Sequence, residues 1–175
     1  MRQSKRDSFG RRGFDSDMIR IKILAVGKIK ESFHREEIGE YVKRLSRYCK
    51  LSVTEIEEEK IRDTSEASVL QALDREGESL LNQIKEEDFV VLLDLRGKEM
   101  SSEEFAGKVE ELANRGKSLV FVIGSSYGLS DILRKRSDLS LSLSKMTFTH
   151  QLTRVLILEQ IYRSFKIICR ETYHK

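Results

Sequence analysis

The sequence predicts an α/β fold, in which a mainly parallel sheet carries helices on both of its faces. Strand-like and helix-like stretches alternate along the chain, as they do in successive βαβ units. Two of the predicted strands, at 89–95 and 118–124, are apolar throughout, which is typical of strands covered on both faces. The 175 residues are enough for one domain with a hydrophobic core.

The first half of the chain supplies two strands and two helices. IRIKILAV at 19–26 predicts a buried strand that stops at Gly27. Apolar side chains recur on one side of a helix predicted over 32–48. LSVTEIE at 51–57 alternates apolar and polar residues, as a half-buried strand does. A second helix is predicted from the apolar positions between 69 and 84.

The second half continues the alternation. The strand at 89–95 is followed by RGKEM, which predicts a turn, and Ser101 with Glu104 predicts a capping box that opens a helix. The apolar strand at 118–124 leads through SSYGLS to a short helix near 130–137, and LSLS predicts the last strand. A long helix is predicted over 151–169.

Three loops follow the carboxyl ends of strands, where parallel sheets bind their ligands. They cover 94–98, 124–129 and 143–150. The third mixes polar and apolar residues directly before the most apolar helix, which makes it a candidate wall of a ligand site. The glycine turns LDLRGK and IGSSYGL match neither G-x-G-x-x-G nor a P-loop. Taken alone, each is better explained as a structural turn.

Composition narrows the classes of function. No apolar run reaches the length of a membrane span, and the two cysteines and three histidines show no metal-ligand spacing, so no metal is expected. No G-x-S-x-G elbow is present. Residues 134–175 carry nine basic and three acidic side chains, although the whole chain is only +3. This excess is able to attract a polyanion, but a solvated helix face explains it equally well.

The two ends of the chain give further expectations. Residues 1–17 are almost without apolar side chains and carry five Lys or Arg, which predicts a disordered N-terminal extension; an RNA-contacting basic arm is the alternative. One domain is then expected over 18–175. The final helix is apolar nearly all round, so it must be buried on more than one side. A homodimer that forms through this helix is the simplest way to bury the remaining apolar surface.

Several segments together resemble one known family. They are MIRIKILAVGKIK near the start, LLDLRGK in the middle, FVIGSSYGLS, LSLSKMTFTHQLTRVLILEQIYRSFKI and the closing ETYHK. The chain from Met18 to Lys175 is similar to the RlmH family, bacterial methyltransferases of the SPOUT class that act on a pseudouridine of large-subunit ribosomal RNA. The SKMTF segment and the terminal Tyr–His pair carry most of the specificity.

The resemblance implies a deep C-terminal trefoil knot, which neither periodicity nor composition predicts. It also implies S-adenosyl-L-methionine as the cofactor, bound in a cleft made by the three loops. Carried over to this sequence, the cofactor-binding positions are Leu93, Gly124, Leu143, Ser144, Lys145, Met146, Thr147 and Phe148. Lys145 is expected to face solvent or RNA, because its charge would repel the sulfonium.

The reaction that the resemblance implies is methylation of N3 of a pseudouridine in 23S ribosomal RNA, on the assembled ribosome in the cytoplasm. The candidate catalytic residues are His150, Arg154, Tyr173 and His174. Arg154 is a candidate for stabilising the developing N3/O4 anion or for holding a phosphate. His174 has a suitable intrinsic pKa for a base, and Tyr173 is a candidate for stacking on an extruded base.

The sequence departs from the family pattern at two positions. Ser125 stands where a second glycine is usual, and Thr149 stands where a proline is usual. A serine disfavours positive φ and adds a Cβ near the ligand, and a threonine leaves the turn less rigid than a proline does. A non-catalytic ribosome-associated module with the same fold is therefore the alternative function.

Overall fold

The computed structural model describes residues 18–173, and five strands in it form one parallel sheet in the order β2-β1-β4-β3-β5. The strands are β1 (Arg20–Val26), β2 (Lys50–Ile56), β3 (Phe89–Glu99), β4 (Leu119–Ile123) and β5 (Leu139–Ser142). The helices are α1 (Ser32–Leu45), α2 (Glu66–Leu81), α3 (Ser102–Asn114), α4 (Asp131–Arg136) and α5 (His150–Ile168). The predicted α/β class with a mainly parallel sheet is confirmed.

Each face of the sheet buries its own apolar cluster, as strands with helices on both sides require. On one face, side chains of β1 and β4 pack against α1, α3 and α5, with Phe121, Ile157 and Phe165 fully buried. On the other face, Leu24 and Val122 pack against Leu80 of α2 and residues around α4. The two strands predicted to be covered on both faces, β3 and β4, therefore lie between the two layers of helices.

Polar side chains define where several helices begin. The predicted capping box of α3 is confirmed: Ser101 accepts a hydrogen bond from the Glu104 amide at 3.1 Å, and Glu104 accepts one from the Ser101 amide at 2.7 Å. At α5, the Thr149 hydroxyl accepts a hydrogen bond from the Leu152 amide at 3.3 Å. Such caps satisfy amides that the helix leaves without partners.

The predicted end of β3 is wrong, because the strand continues through RGKEM to Glu99. Leu93 and Lys98 both pair with Leu141, so the register of β3 against β5 shifts between them and the four residues from 94 to 97 have no pairing partner in β5. Gly97 makes this possible, since a Cβ there would lie 2.6–2.7 Å from the main chain of Ser140 and Leu141. The glycine marks a close approach of two backbones rather than a turn.

Helix α5 lies against α1, α3 and the sheet, so the chain itself covers part of its apolar circumference. The predicted dimer and knot stay predictions.

No helix within residues 18–173 is long and apolar enough to cross a membrane. The predicted extension at 1–17 lies outside the described residues, as do His174 and Lys175, and the single-domain assignment remains an expectation.

Candidate active site

A cavity of about 900 Å³ opens at the carboxyl ends of β3, β4 and β5. All three loops singled out in the sequence contribute to it. Seven of the eight predicted cofactor positions line this cavity, and the exposed Lys145 does not. The seven are Leu93, Gly124, Leu143, Ser144, Met146, Thr147 and Phe148. The structure thus brings together residues up to 55 positions apart in sequence, from Leu93 to Phe148.

The first wall of the cavity is the 124–129 loop, which is held by close main-chain packing. A Cβ at Gly124 would lie 2.0 Å from the carbonyl oxygen of Gly128, far inside van der Waals contact. Gly128 itself has a φ of +103°, which favours glycine, and its amide donates to the Ser125 carbonyl at 3.0 Å. This wall therefore leaves no room for a side chain at Gly124, whereas at Gly128 the backbone conformation, and not lack of space, disfavours one.

The strain expected at Ser125 is absent. Among the described residues, Arg170 is the one non-glycine residue with positive φ, so Ser125 adopts an ordinary backbone conformation. Its side chain is buried and lies near the carboxylate of Glu76, without a well-aligned hydrogen bond to it. Burial raises the pKa of Glu76, and the nearby Ser125 side chain opposes part of that rise.

The second wall is the 143–149 segment, and local hydrogen bonds hold it. The Ser142 hydroxyl donates to the Ser144 carbonyl at 2.9 Å, and the Met146 amide donates to the Ser144 hydroxyl at 3.0 Å. Met146 is 72% exposed. Thr149 caps α5 with its hydroxyl. Hydrogen bonds of serine and threonine hydroxyl groups thus fix the conformation of a segment whose apolar side chains line the cavity.

A charged pair and the start of α1 complete the lining, and sequence reasoning missed both. Asp94 forms an ion pair with Arg134 of α4, and both residues line the cavity. The sequence did offer one signal for this pair, because Asp94 is a carboxylate that directly follows the apolar run at 89–93. Glu31, Phe33 and His34 reach the cavity from the N-terminal end of α1. Nothing in their local pattern indicates this, because α1 approaches the site through the β1–α1 connection.

The structure does not support the expected contact between Arg154 and RNA, because its side chain is fully buried. Its guanidinium donates to Glu55 at 2.6 Å and to the carbonyls of Val26 and Gly27 at 2.7 and 2.8 Å. Burial lowers the pKa of Arg154, and the Glu55 carboxylate opposes that shift. Arg154 therefore joins α5 to the ends of β1 and β2, as a positioning residue behind the cavity wall.

His150 lies one turn before Arg154 and lines the cavity. Its Nε2 atom sits 3.9 Å from the place that a Cβ of Gly27 would occupy. Burial, aided by the nearby charge of Arg154, lowers the pKa of His150. The lowered pKa favours the neutral imidazole, which is the form that is able to accept a proton. No cluster of three metal-ligating side chains occurs within residues 18–173.

Tyr173 packs against α5 of its own chain. The chain reverses at Arg170, which has a φ of 55°, and the Tyr173 ring then meets the ring of Tyr162 edge-on at 5.1 Å. Its hydroxyl donates to Glu159 at 3.4 Å. Nine residues of helix separate Glu159 from His150, or roughly 13 Å of axial rise. Tyr173 therefore lies away from the cavity of its own chain, and its predicted contact with RNA stays a prediction. His174 lies outside the described residues.

The fold and the cavity place the chain in a known class. Residues 19–174 match the family model described as "Predicted SPOUT methyltransferase". A crystal structure of a probable methyltransferase from Bordetella pertussis Tohama I, 12% identical, aligns with a TM-score of 0.53 over 83% of this chain and 94% of its own. That likeness shows a shared fold.

Two curated relatives narrow the class. A protein of Acetivibrio thermocellus is 54% identical over 90% of this chain and 100% of its own length, and one of Clostridium botulinum (strain Langeland) is 50% identical over 89% and 99%. Both are named ribosomal RNA large subunit methyltransferase H. The chain belongs to the SPOUT methyltransferases and, among them, to the RlmH family.

Proposed function

We propose that this chain transfers a methyl group from S-adenosyl-L-methionine to N3 of a pseudouridine in 23S ribosomal RNA, within the assembled ribosome. One observation carries the proposal. The segments that resemble the RlmH cofactor cleft, distant in sequence, line a single cavity at the carboxyl ends of parallel strands, where such sheets bind ligands. The names of the relatives support ribosomal RNA as the substrate.

The residues present suit the proposed cofactor. The cavity pairs apolar side chains with a few polar main-chain groups, the usual arrangement for holding a small cofactor. Leu93, Leu143, Met146 and Phe148 offer apolar contacts, while the main chain around Ser144 and Gly124 offers donors and acceptors to an adenine edge. When bound, the cofactor would supply a methyl group on a sulfonium sulfur, and the neutral thioether would be the leaving group. Lys145 is exposed and is not among the residues that line the cavity, which suits a site for a sulfonium because a like charge beside it would be repelled.

The chain must also manage the proton on N3, which has to leave before or during methyl transfer. His150 is the described candidate acceptor, because it lines the cavity and its pKa is lowered. Arg154 acts behind it by anchoring the start of α5. Tyr173 and His174 remain candidates for contacting RNA. Because Tyr173 lies away from the cavity of its own chain, its contact would be made at the cavity of a second copy.

The proposed partners follow from this activity. The ribosome is the substrate, a homodimer forms through α5, and the protein acts in the cytoplasm. The excess of basic side chains over residues 134–175 supports an approach to a polyanion. Because one small domain offers little contact area to RNA, we expect methylation of assembled ribosomes to exceed that of free 23S RNA.

Mass spectrometry of ribosomal RNA from a deletion strain tests the function directly. The expected result is the loss of one methyl group from a modified uridine, restored by the wild-type chain. Calorimetry with S-adenosyl-L-methionine tests the cofactor independently. Absence of binding at millimolar cofactor, with ribosome binding retained, would instead favour the non-catalytic ribosome-associated module.

A further inference from the structure

An exposed aromatic ring stands at the mouth of the cavity, and neither the cofactor positions nor the catalytic candidates account for it. Phe33, in the first turn of α1, is 55% exposed yet lines the cavity. Its ring has a described aromatic neighbour in His34, at a centroid distance of 4.4 Å. Met146 and Phe148 are also exposed and line the same cavity, and apolar side chains exposed together around a cleft mark a binding site more often than a single one does.

Two hydrogen bonds hold the chain segment that leads into Phe33. The Ile29 amide donates to Glu55 at 3.2 Å, and the same carboxylate oxygen binds Arg154. The Lys30 amide donates to Gln151 of α5 at 3.0 Å. The connection into α1 is therefore linked to the start of α5, and the ring is held at a set place relative to the second wall.

The cavity has room for more than a methyl donor. Its volume of about 900 Å³ lies near the upper end of the range for pockets that hold one small ligand. Met146 and Phe148 of the second wall are exposed at the same mouth. Lys30 and Lys145, both exposed, form no ion pair with any residue in the described part of the chain. Cations beside apolar surface suit a single-stranded nucleotide, whose phosphate they attract while its base stacks.

We infer that Phe33 is the stacking contact for the extruded target base. The inference rests on the proposed function, since it assigns the base of the methylated nucleotide to the mouth of the same cavity. Enzymes that act on a base within RNA must take it out of its stack and stabilise it elsewhere. An aromatic ring provides that stabilisation without reading a particular hydrogen-bonding edge.

Three substitutions at Phe33 test this role, with methylation of ribosomes from a deletion strain as the assay. F33A should lower kcat/KM for ribosomes about 10–100-fold, the equivalent of losing one stacked base. F33W should stay within about threefold of wild type, and F33L should resemble F33A, because leucine keeps the apolar surface without the ring. The dissociation constant for S-adenosyl-L-methionine should change less than about twofold in all three.

A matched control is Leu70→Ala on α2, since Leu70 is 53% exposed but does not line the cavity; it should behave as wild type. Wild-type kcat/KM in F33A, or equal activity of F33L and F33W, would overturn the inference. So would a change in oligomeric mass of F33A by light scattering, which would assign the ring to contact with a second copy. If the wild-type chain neither binds the donor nor methylates ribosomes, the proposed function fails first and this inference falls with it.

Discussion

The two walls of the cavity are built by different means. The 124–129 loop is held by steric contact: Gly124 packs directly on the Gly128 carbonyl, and Ser125 is buried. The 143–149 segment is held by hydrogen bonds that involve serine and threonine hydroxyl groups and main-chain amides, and it leaves Met146 exposed. The first wall tolerates no added volume at Gly124, whereas the second leaves exposed side chains such as Met146 free to adjust to a ligand.

The largest expected effect comes from removing the support behind the second wall. Arg154→Met leaves two carbonyls and Glu55 without their cation, so we expect the free energy of unfolding to fall by about 3–5 kcal/mol. Urea denaturation measures it. Arg44→Met is the matched control, because Arg44 forms an exposed pair with Glu40, and its unfolding midpoint in urea should stay close to that of the wild type. Equal losses in the two variants would show that the buried network has no special role.

A smaller effect is expected from crowding the first wall. Gly124→Ala forces a methyl group against the Gly128 carbonyl, which should cost about 1–3 kcal/mol of stability and weaken cofactor binding more than about tenfold. Thermal unfolding and calorimetry measure the two effects. Gly107→Ala in α3, where nothing lies within 4 Å, should be neutral or stabilising by up to about 1 kcal/mol. Unchanged stability of Gly124→Ala would contradict the close packing of this wall, and unchanged cofactor affinity would contradict its place in the cofactor site.

Removing the cap at the end of the second wall should have a milder effect. Thr149→Ala deletes the hydroxyl that accepts from the Leu152 amide, at an expected cost of about 1 kcal/mol. Thr149→Ser retains the oxygen and should recover most of that stability. Chemical denaturation distinguishes the two variants. If serine and alanine are equally destabilising, the hydroxyl does not act as the cap.

The smallest effect concerns pH. Because burial and Arg154 lower the pKa of His150 below its ordinary value of 6.5, the unfolded chain binds the proton more readily than the folded one. The stability contribution of His150 is therefore present above pH 6.5 and is lost as the pH falls through the folded pKa. NMR titration of the imidazole should give a midpoint below 6.5, and His150→Gln should flatten this part of the stability profile. A midpoint at or above 6.5 would rule out a desolvated imidazole.

Sequence reasoning located the elements and the three loops of the cavity because both depend on local signals, whereas the individual cofactor-binding positions came from the resemblance to the RlmH family. Apolar runs marked the central strands, and a capping box marked α3. It missed the continuation of β3 through Gly97, since a glycine in a turn and a glycine beneath another backbone look alike in sequence. It also assigned Arg154 to RNA, because an arginine on an apolar helix does not reveal which oxygens will surround it.

The sequence by itself determined the alternation of strands and helices, the apolar layers and the loops that meet at the carboxyl ends of the strands. Periodicity and chain order are enough for that, because parallel strands bring those ends to one edge. Only the tertiary structure decided that Arg154 is buried, that Ser125 is unstrained and that Phe33 stands at the mouth of the cavity. Those properties depend on residues more than 50 positions away in the chain or on the backbone conformation, and hydrophobic patterning carries no information about either.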